Sequence, residues 1–551
     1  MGIKTCFLFA LSLPLGAEAE FRPIFNGRDL TGWTPVLENA ASGKDPQGLV
    51  SVHDGVIHMY RDLPENSVAP FGVIVSDDSY SRYHLKFDYR WMGKKFSPRK
   101  DAIRDAGLIY HAYKWDRVWP SGIENQIQEG DTGDLIWCHS NGFTWIRPGG
   151  QYAPEGQGDP GLLPEFGGVL RQLGFNYEYI GRFPEYDNLQ GWTSVDTIVQ
   201  ADEWAIHKVN GRISTRLRDF KKPGGSNEPL AEGKITLQLE GAEIQYRNVR
   251  IRDLEEPLRP SLKEMVFSAA HGETSTQSIS LTNPGENPVE VRPQWLGQDP
   301  GFFSVSPAST TLAAGATAVF EVSFHPQGHG GRYSAGIQLG PEETGAFVPV
   351  NGLGFGDGAQ PDLQEILDAL AIPADVPPGR EHPNGGKTAT WGKSIHARSF
   401  IPLENGRFYL QPLAAFPDEG SADPVLRIFD EVDTAPRPVD SAFSLQPGLQ
   451  PVVPRFLSGE WEPPETSFLS APDAAFGLTC GGSSTDWSKN GYAVRIYPAG
   501  RILERSLSDA YVLCFETGGA RDYNDAIFLL GNVAPWRLPE PPKERDKKSQ
   551  R

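Results

Sequence analysis

Hydrophobic and polar residues alternate with period two along much of the chain. In residues 83–91, Tyr83, Leu85, Phe87, Tyr89 and Trp91 are apolar or aromatic, while His84, Lys86, Asp88 and Arg90 are polar. That pattern predicts a strand with one buried face. Residues 203–209 alternate and run into Asn210-Gly211, a pair that favours a type I′ hairpin, and residues 212–217 return. Residues 234–239 and 244–251 predict a further strand pair. The theme recurs at smaller scale in residues 276–281, 289–291 and 318–324, with a turn at 283–288 between the first two. Helical spacing stands out at Leu363, Ile366, Leu367 and Leu370, after which the chain becomes β-like again. With 60 glycines, 47 prolines and 11% aromatics, many short strands are favoured over long helices. The expected fold class is mainly β: an N-terminal antiparallel sandwich, an Ig-like sandwich, then a C-terminal β-rich domain.

The 551 residues are too many for one compact core. Pro-rich or Gly-rich linkers at 255–260 and 351–361 divide them into modules at 20–254, 260–354 and 361–536, and the charged, apolar-poor end at 538–551 reads as a disordered tail. Residues 1–19 read as an export signal: Lys4, an apolar run over 6–15, then Ala17-Glu18-Ala19 as a cleavage site. The mature protein is expected to start at Glu20, secreted or periplasmic. No later run reaches the roughly 18 apolar residues of a membrane span, so none is expected. The net charge of −19 argues against nucleic acid as a partner, since a phosphate backbone attracts cations.

Loss of the signal removes Cys6 and leaves Cys138, Cys480 and Cys514. Cys480 and Cys514 lie in neighbouring β-like segments and are expected to pair in an oxidising compartment. Cys138 is then a buried small hydrophobe. Asp522, Asn524 and Asp525, ahead of an apolar strand, offer oxygen ligands to a divalent cation such as Ca²⁺, or form an Asx turn that starts the strand.

The richest polar constellation spans residues 106–139. His111 falls in a strand-like run, and Gly122-Ile123-Glu124-Asn125-Gln126-Ile127-Gln128-Glu129 follows. Period two sets Glu124, Gln126 and Gln128 on one face and Ile123, Asn125 and Ile127 on the other. Trp115, Trp119, Trp137 and Trp145 lie nearby in sequence. Aromatic platforms beside carboxylates and amides are how clefts hold sugar rings, so a carbohydrate, free or as part of a polysaccharide or cell surface, is the expected partner. A jelly-roll glucanase would set two acids on such a strand as E-x-D-x-x-E. Here Gln126 takes the central position, and a five-residue step puts Glu124 and Glu129 on opposite faces unless a bulge intervenes.

Several motifs in order carry a resemblance over the first module: Phe25-Asn26-Gly27-Arg28-Asp29-Leu30-Thr31-Gly32-Trp33, Ala106-Gly107-Leu108-Ile109-Tyr110, the run from Gly122 through Gly130-Asp131-Thr132-Gly133-Asp134, Val209-Asn210-Gly211, and Ile244-Gln245-Tyr246-Arg247-Asn248-Val249-Arg250-Ile251. Together they resemble the secreted 3-keto-disaccharide hydrolase family, also described as 3-keto-glucoside 1,2-lyase/hydratase. The resemblance implies a concanavalin-like jelly roll acting on glycosides already oxidised at C3. Two departures are His111, where the family often has a basic residue, and Leu237-Gln238-Leu239-Glu240-Gly241, which lacks a His common there.

A ketone at C3 acidifies the C2 hydrogen, so a base can remove it, the enolate expels the C1 substituent, and water adds back. Glu124 and His111 are the candidate bases, with Gln126, Arg247 or a bound cation on the enolate oxygen. Gln126, Gln128, Asp131, Trp145, Tyr110, His207 and Arg247 are the candidate substrate contacts. A non-catalytic lectin-like protein and a two-carboxylate hydrolase are the alternatives, because binding alone needs the same cleft without the base.

Overall fold

The computed structural model describes residues 20–148, 159–174, 177–182, 185–224, 228–328, 330–356, 358–374, 376, 394–395, 397–403, 406–416, 426–430, 437–438, 468–470, 475–486, 494–503, 505–517 and 522–536. The export segment at 1–19 and the tail at 538–551 lie outside the described residues.

Two sheets form the first sandwich. One, of eight strands, runs in the order Asp159–Pro160, Glu178–Gly181, Leu135–Cys138, Ser121–Gln126, Gly107–Lys114, Gly233–Leu239, Gly72–Tyr80, Trp33–Leu37. The other, of ten strands, is centred on Thr193–Gln200, Arg82–Lys95 and Ala242–Asp253. Apart from one short parallel pair at its edge, neighbouring strands of the eight-stranded sheet are antiparallel, as in a jelly roll. The alternating stretch predicted at 83–91 supplies much of the core, with Tyr83, Leu85, Phe87, Tyr89 and Trp91 all buried. Asn210 and Gly211 both take positive φ, 48° and 79°, as a type I′ turn requires, and Trp204–Val209 pairs with Arg212–Lys221 across them.

The second sandwich stacks two four-stranded sheets, one built on Ser275–Thr282 and Thr317–Phe324, the other on Gly331–Leu339 and Ala346–Phe355. It is welded to the first. His84, on the polar face of its strand, is buried because Glu343 covers it, with Nδ1 2.5 Å from Glu343 and Nε2 2.8 Å from Asp196. Lys208 meets Glu342 at 2.5 Å, and Glu264 accepts from Arg218 of the first sandwich and from Arg501 of the third part at 3.4 Å. Among the described residues, the third part holds a six-stranded sheet, a five-stranded sheet and a two-stranded ribbon. The predicted helix forms at Leu363–Ala369, started by a capping box between Asp362 and Glu365. Its apolar face joins Phe143, Trp145 and Leu170 to Val266, Leu353, Val512 and Leu529, one cluster shared by all three parts.

The expected Cys480–Cys514 disulfide is absent: both thiols are free and buried. Their strands belong to different sheets, and Cys480 packs in one apolar cluster while Cys514 packs in the cluster around the helix. Asp525 accepts from the backbone and hydroxyl of Thr517, and Asn524 donates to the Pro361 carbonyl at 2.9 Å, so these two side chains hold segments remote from the strand they precede. Among the described residues no group of three His, Cys, Asp or Glu side chains is arranged to hold a metal ion.

Candidate active site

Strand Ser121–Gln126 lies between Gly107–Lys114 and Leu135–Cys138. Residues directly opposite in antiparallel strands project to the same face. Ile123, opposite Tyr110 and Trp137, is fully buried between the sheets, and Asn125 points the same way and donates to Thr197 Oγ1 at 3.0 Å. Glu124, opposite Ile109 and Ile136, therefore faces outward from the sandwich, as does Gln126 opposite Gly107.

Although outward, the Glu124 side is roofed: the residue is only 5% exposed. Burial pushes its carboxyl up to about 8, the charge of Asp105 adds to this, and a bond from Cys138 Sγ to Oε2 at 3.2 Å opposes it. Gly107 is glycine for a steric reason. A Cβ there would stand 1.9 Å from Glu124 Oε1 and 2.2 Å from Gln238 Oε1. Gln238 Oε1 is buried without a donor, and the protonated carboxyl beside it is a group able to supply one.

Arg99 spans the next two acids, donating from Nη1 to Glu240 at 2.8 Å and from Nη2 to Asp105 at 2.5 Å. Burial raises both carboxyls above their ordinary range, and Glu240 also feels Asp105 and Glu124, while Arg99 pulls both back down. One partly exposed guanidinium thus bridges two buried carboxyls, with Glu124 close enough for its charge to raise Glu240. Around the mouth, Phe71 meets Trp119 at 5.8 Å and Tyr177 meets His139 at 4.9 Å, with Trp119 and Tyr177 exposed. Trp115 packs across Val73, Val75 and Ile109 on the same face.

Of the candidate bases and substrate contacts named from the sequence, among the described residues only Glu124 and Gln126 share this face. His111 does not. It takes a φ of 48° where the register between Tyr110 and Lys114 slips, which turns its ring into the core against Tyr83, Tyr110 and Phe220. There Nδ1 donates to the Leu230 carbonyl at 2.9 Å, and burial pushes its pKa down to about 4, so it is neutral. Tyr110 and His207 meet at 3.1 Å in the same core, with His207 pushed down to about 3 by burial. Trp137 is inside the sandwich, and Trp145 sits on the outer face of the other sheet. Arg247 is also on that far side, paired with Asp88 at 3.1 Å and stacked 3.8 Å from Trp192. Gln128 and Asp131 bond to each other and close the turn after the strand. Glu129, the second acid of the two-carboxylate alternative, pairs with Arg104 at 2.9 Å.

Arg99 and Asp105 escaped the sequence reading, and Gln238 and Glu240 entered it only within a departure from a motif. The strand carrying Gln238 and leading to Glu240 alternates, which is a signal for their shared face; the irregular segment carrying Arg99 and Asp105 holds none.

Residues 20–252 match the family model described as the 3-keto-alpha-glucoside-1,2-lyase-like domain, and residues 258–341 match that of Cep192 domain 3. Three solved structures are similar to part of the chain. A Parabacteroides distasonis protein assigned by inference as a glycosyl hydrolase shares 22% identity, over 43% of this chain and 94% of that one, with a TM-score of 0.27. A carbohydrate binding module from Bacillus subtilis shares 11% over 40% and 96%, with a TM-score of 0.23. A Bacillus licheniformis beta-glucanase shares 11% over 44% and 100%, with a TM-score of 0.23. No curated protein matches the chain. The match to the 3-keto-alpha-glucoside-1,2-lyase-like domain model, residues 20–252, covers the same stretch as the ordered motifs and the two facing sheets, a little under half of the chain.

Proposed function

We propose that this carbohydrate-active domain cleaves glycosides already oxidised to a ketone at C3, with Glu124 as the base. The observation that carries the reading is a buried carboxyl, poised near pH 8, on the sheet face that also holds Gln126 and the Arg99 cluster. A base is most effective when its pKa lies close to the working pH. The Glu124 carboxylate takes the proton from C2, and the electron pair of that C–H bond becomes an enolate delocalised onto the C3 oxygen. Collapse of the enolate restores the C3 ketone, forms a C1–C2 double bond and breaks the C1–O bond; the departing oxygen takes a proton, and water then adds across the C1–C2 double bond, hydroxyl to C1 and proton to C2, to give the free 3-keto sugar. Arg99 and the Gln126 amide are the donors on this face suited to the enolate oxygen, where fixed dipoles act with little screening. His111 is not the base in this reading, because its ring is on the other side of the sheet.

The domain acts outside the cytoplasm in this proposal, on the strength of residues 1–19. N-terminal sequencing of exported protein tests that part, with Glu20 as the expected first residue. The activity is tested with a 3-keto-glucoside and its unoxidised parent in deuterated solvent. Turnover of the keto substrate alone, with deuterium entering C2, is the expected result. Equal turnover of both without exchange supports two-carboxylate hydrolysis, and binding without turnover of either supports a lectin.

A further inference from the structure

A cavity of about 300 Å³ lies between the first and second sandwiches. We infer that it is a binding subsite for an uncharged sugar, separate from Glu124 and on the opposite side of the first sandwich. Trp145, Trp204 and Ile206 form one wall, on the outer face of the ten-stranded sheet, and Leu258, Ala346 and Phe347 form the other. The volume falls at the small end of pockets that enclose organic ligands, and junctions between modules are a common place for them. The space is not slack between loose modules, since the ion pairs of Lys208 with Glu342 and of Arg218 with Glu264 close the junction around it.

The charges in its lining exclude an ionic ligand. Arg216 is held by Glu165 at 3.3 Å, Arg218 by Glu264, Lys263 by Asp219 at 3.0 Å and Arg259 by Glu256. Glu203 is held by Arg82 at 2.7 Å and Glu342 by Lys208 at 2.5 Å. Every charged lining residue already has its counter-ion, so an anion or cation entering would displace a partner or stay unneutralised. What remains is a set of aromatic faces edged by paired polar groups that keep spare hydrogen-bonding capacity. Arg216 is itself flattened on Phe347, 3.8 Å from the ring centre, which fixes that edge. A pyranose presents the matching chemistry: C–H faces for the rings and a rim of hydroxyls for the polar edge. Trp204, partly exposed, lines the cavity beside Trp145.

The subsite does not depend on the Glu124 chemistry, and the experiment separates the two. The full mature chain is titrated calorimetrically with unoxidised glucose, cellobiose and maltose at millimolar concentrations, alongside Trp204→Ala and Glu124→Gln. At least one sugar should bind, weakened about tenfold or more in Trp204→Ala and unchanged in Glu124→Gln. Hydrogen exchange of the unmodified protein provides a readout free of any folding defect: the bound sugar should slow exchange in peptides covering 203–206 and 342–347. Binding abolished by Glu124→Gln but not by Trp204→Ala would assign the sugar to the other site. No heat and no protection with any of the three, or protection by a dodecyl-chain detergent monomer instead, would overturn the proposal.

Discussion

Glu124→Gln tests the site through stability as well as through activity. In the folded protein the carboxyl is raised from 4.5 to about 8, chiefly by burial, so the fold prefers the protonated form. Between those two values the unfolded chain has already ionised while the folded one still holds its proton, and stability falls as pH rises. The penalty is absent well below 4.5, grows through neutrality and is complete above 8. At about 1.4 kcal/mol per unit, the full shift amounts to about 5 kcal/mol, of which about 1 is present at pH 5 and about 3 at pH 7. No discount for solvent screening is needed, because the residue is only 5% exposed. Glutamine keeps the shape and cannot ionise, so the variant lacks this slope. Urea unfolding of both proteins at pH 5, 7 and 9 should show the variant gaining on the parent by about 4 kcal/mol across the range. The variant should also have lost turnover of a 3-keto-glucoside, while in the parent kcat/KM rises with pH and levels off above about 8. Parallel stability curves would refute the buried-carboxyl argument, and full activity in the variant would refute the role of base.

Gly107→Ala should reduce activity by about tenfold or more, since the new methyl must displace Glu124 and Gln238 from positions it would otherwise overlap; equal kinetics would show the crowding to be harmless. His111→Gln should lose about 1–3 kcal/mol in urea unfolding, through the Leu230 bond and the surrounding ring packing, yet keep the shape of the pH–rate profile; a shifted profile would return His111 to the chemistry. Glu264→Ala should destabilise by about 3–5 kcal/mol, because Arg218 and Arg501 lose a buried carboxylate shared by all three parts of the chain. A change under about 0.5 kcal/mol would mean that the modules do not depend on that junction. On the acid side, burial holds His111 and His207 below their usual 6.5, so both contributions are present above that value and are lost as pH falls toward 4; calorimetric Tm values measured from pH 7 to pH 4 should decline.

Much of this architecture was legible from residue order alone. Strict alternation at 83–91, the Asn210-Gly211 turn, the helical spacing from Leu363 and the Ile123/Glu124 division of one strand all appear in the structure, because each depends on local period or on a backbone conformation that few residues adopt. The first module's motif order also pointed to the family model that residues 20–252 match. Period two, however, assigns a face only while the ladder is regular. A single slip after Tyr110 turned His111 from the Glu124 face into the core, and nothing in its neighbours marks the slip. Polarity misled in the opposite direction at His84, whose strand face would meet water in the first sandwich alone and is instead sealed by Glu343 from a module 259 residues away. The partners of Glu124 were decided the same way. Cys138, Gln238, Glu240, Asp105 and Arg99 converge because separate strands and one irregular segment pack beside it, and a carboxyl's pKa depends on that company and on the water it excludes rather than on its neighbours in the chain.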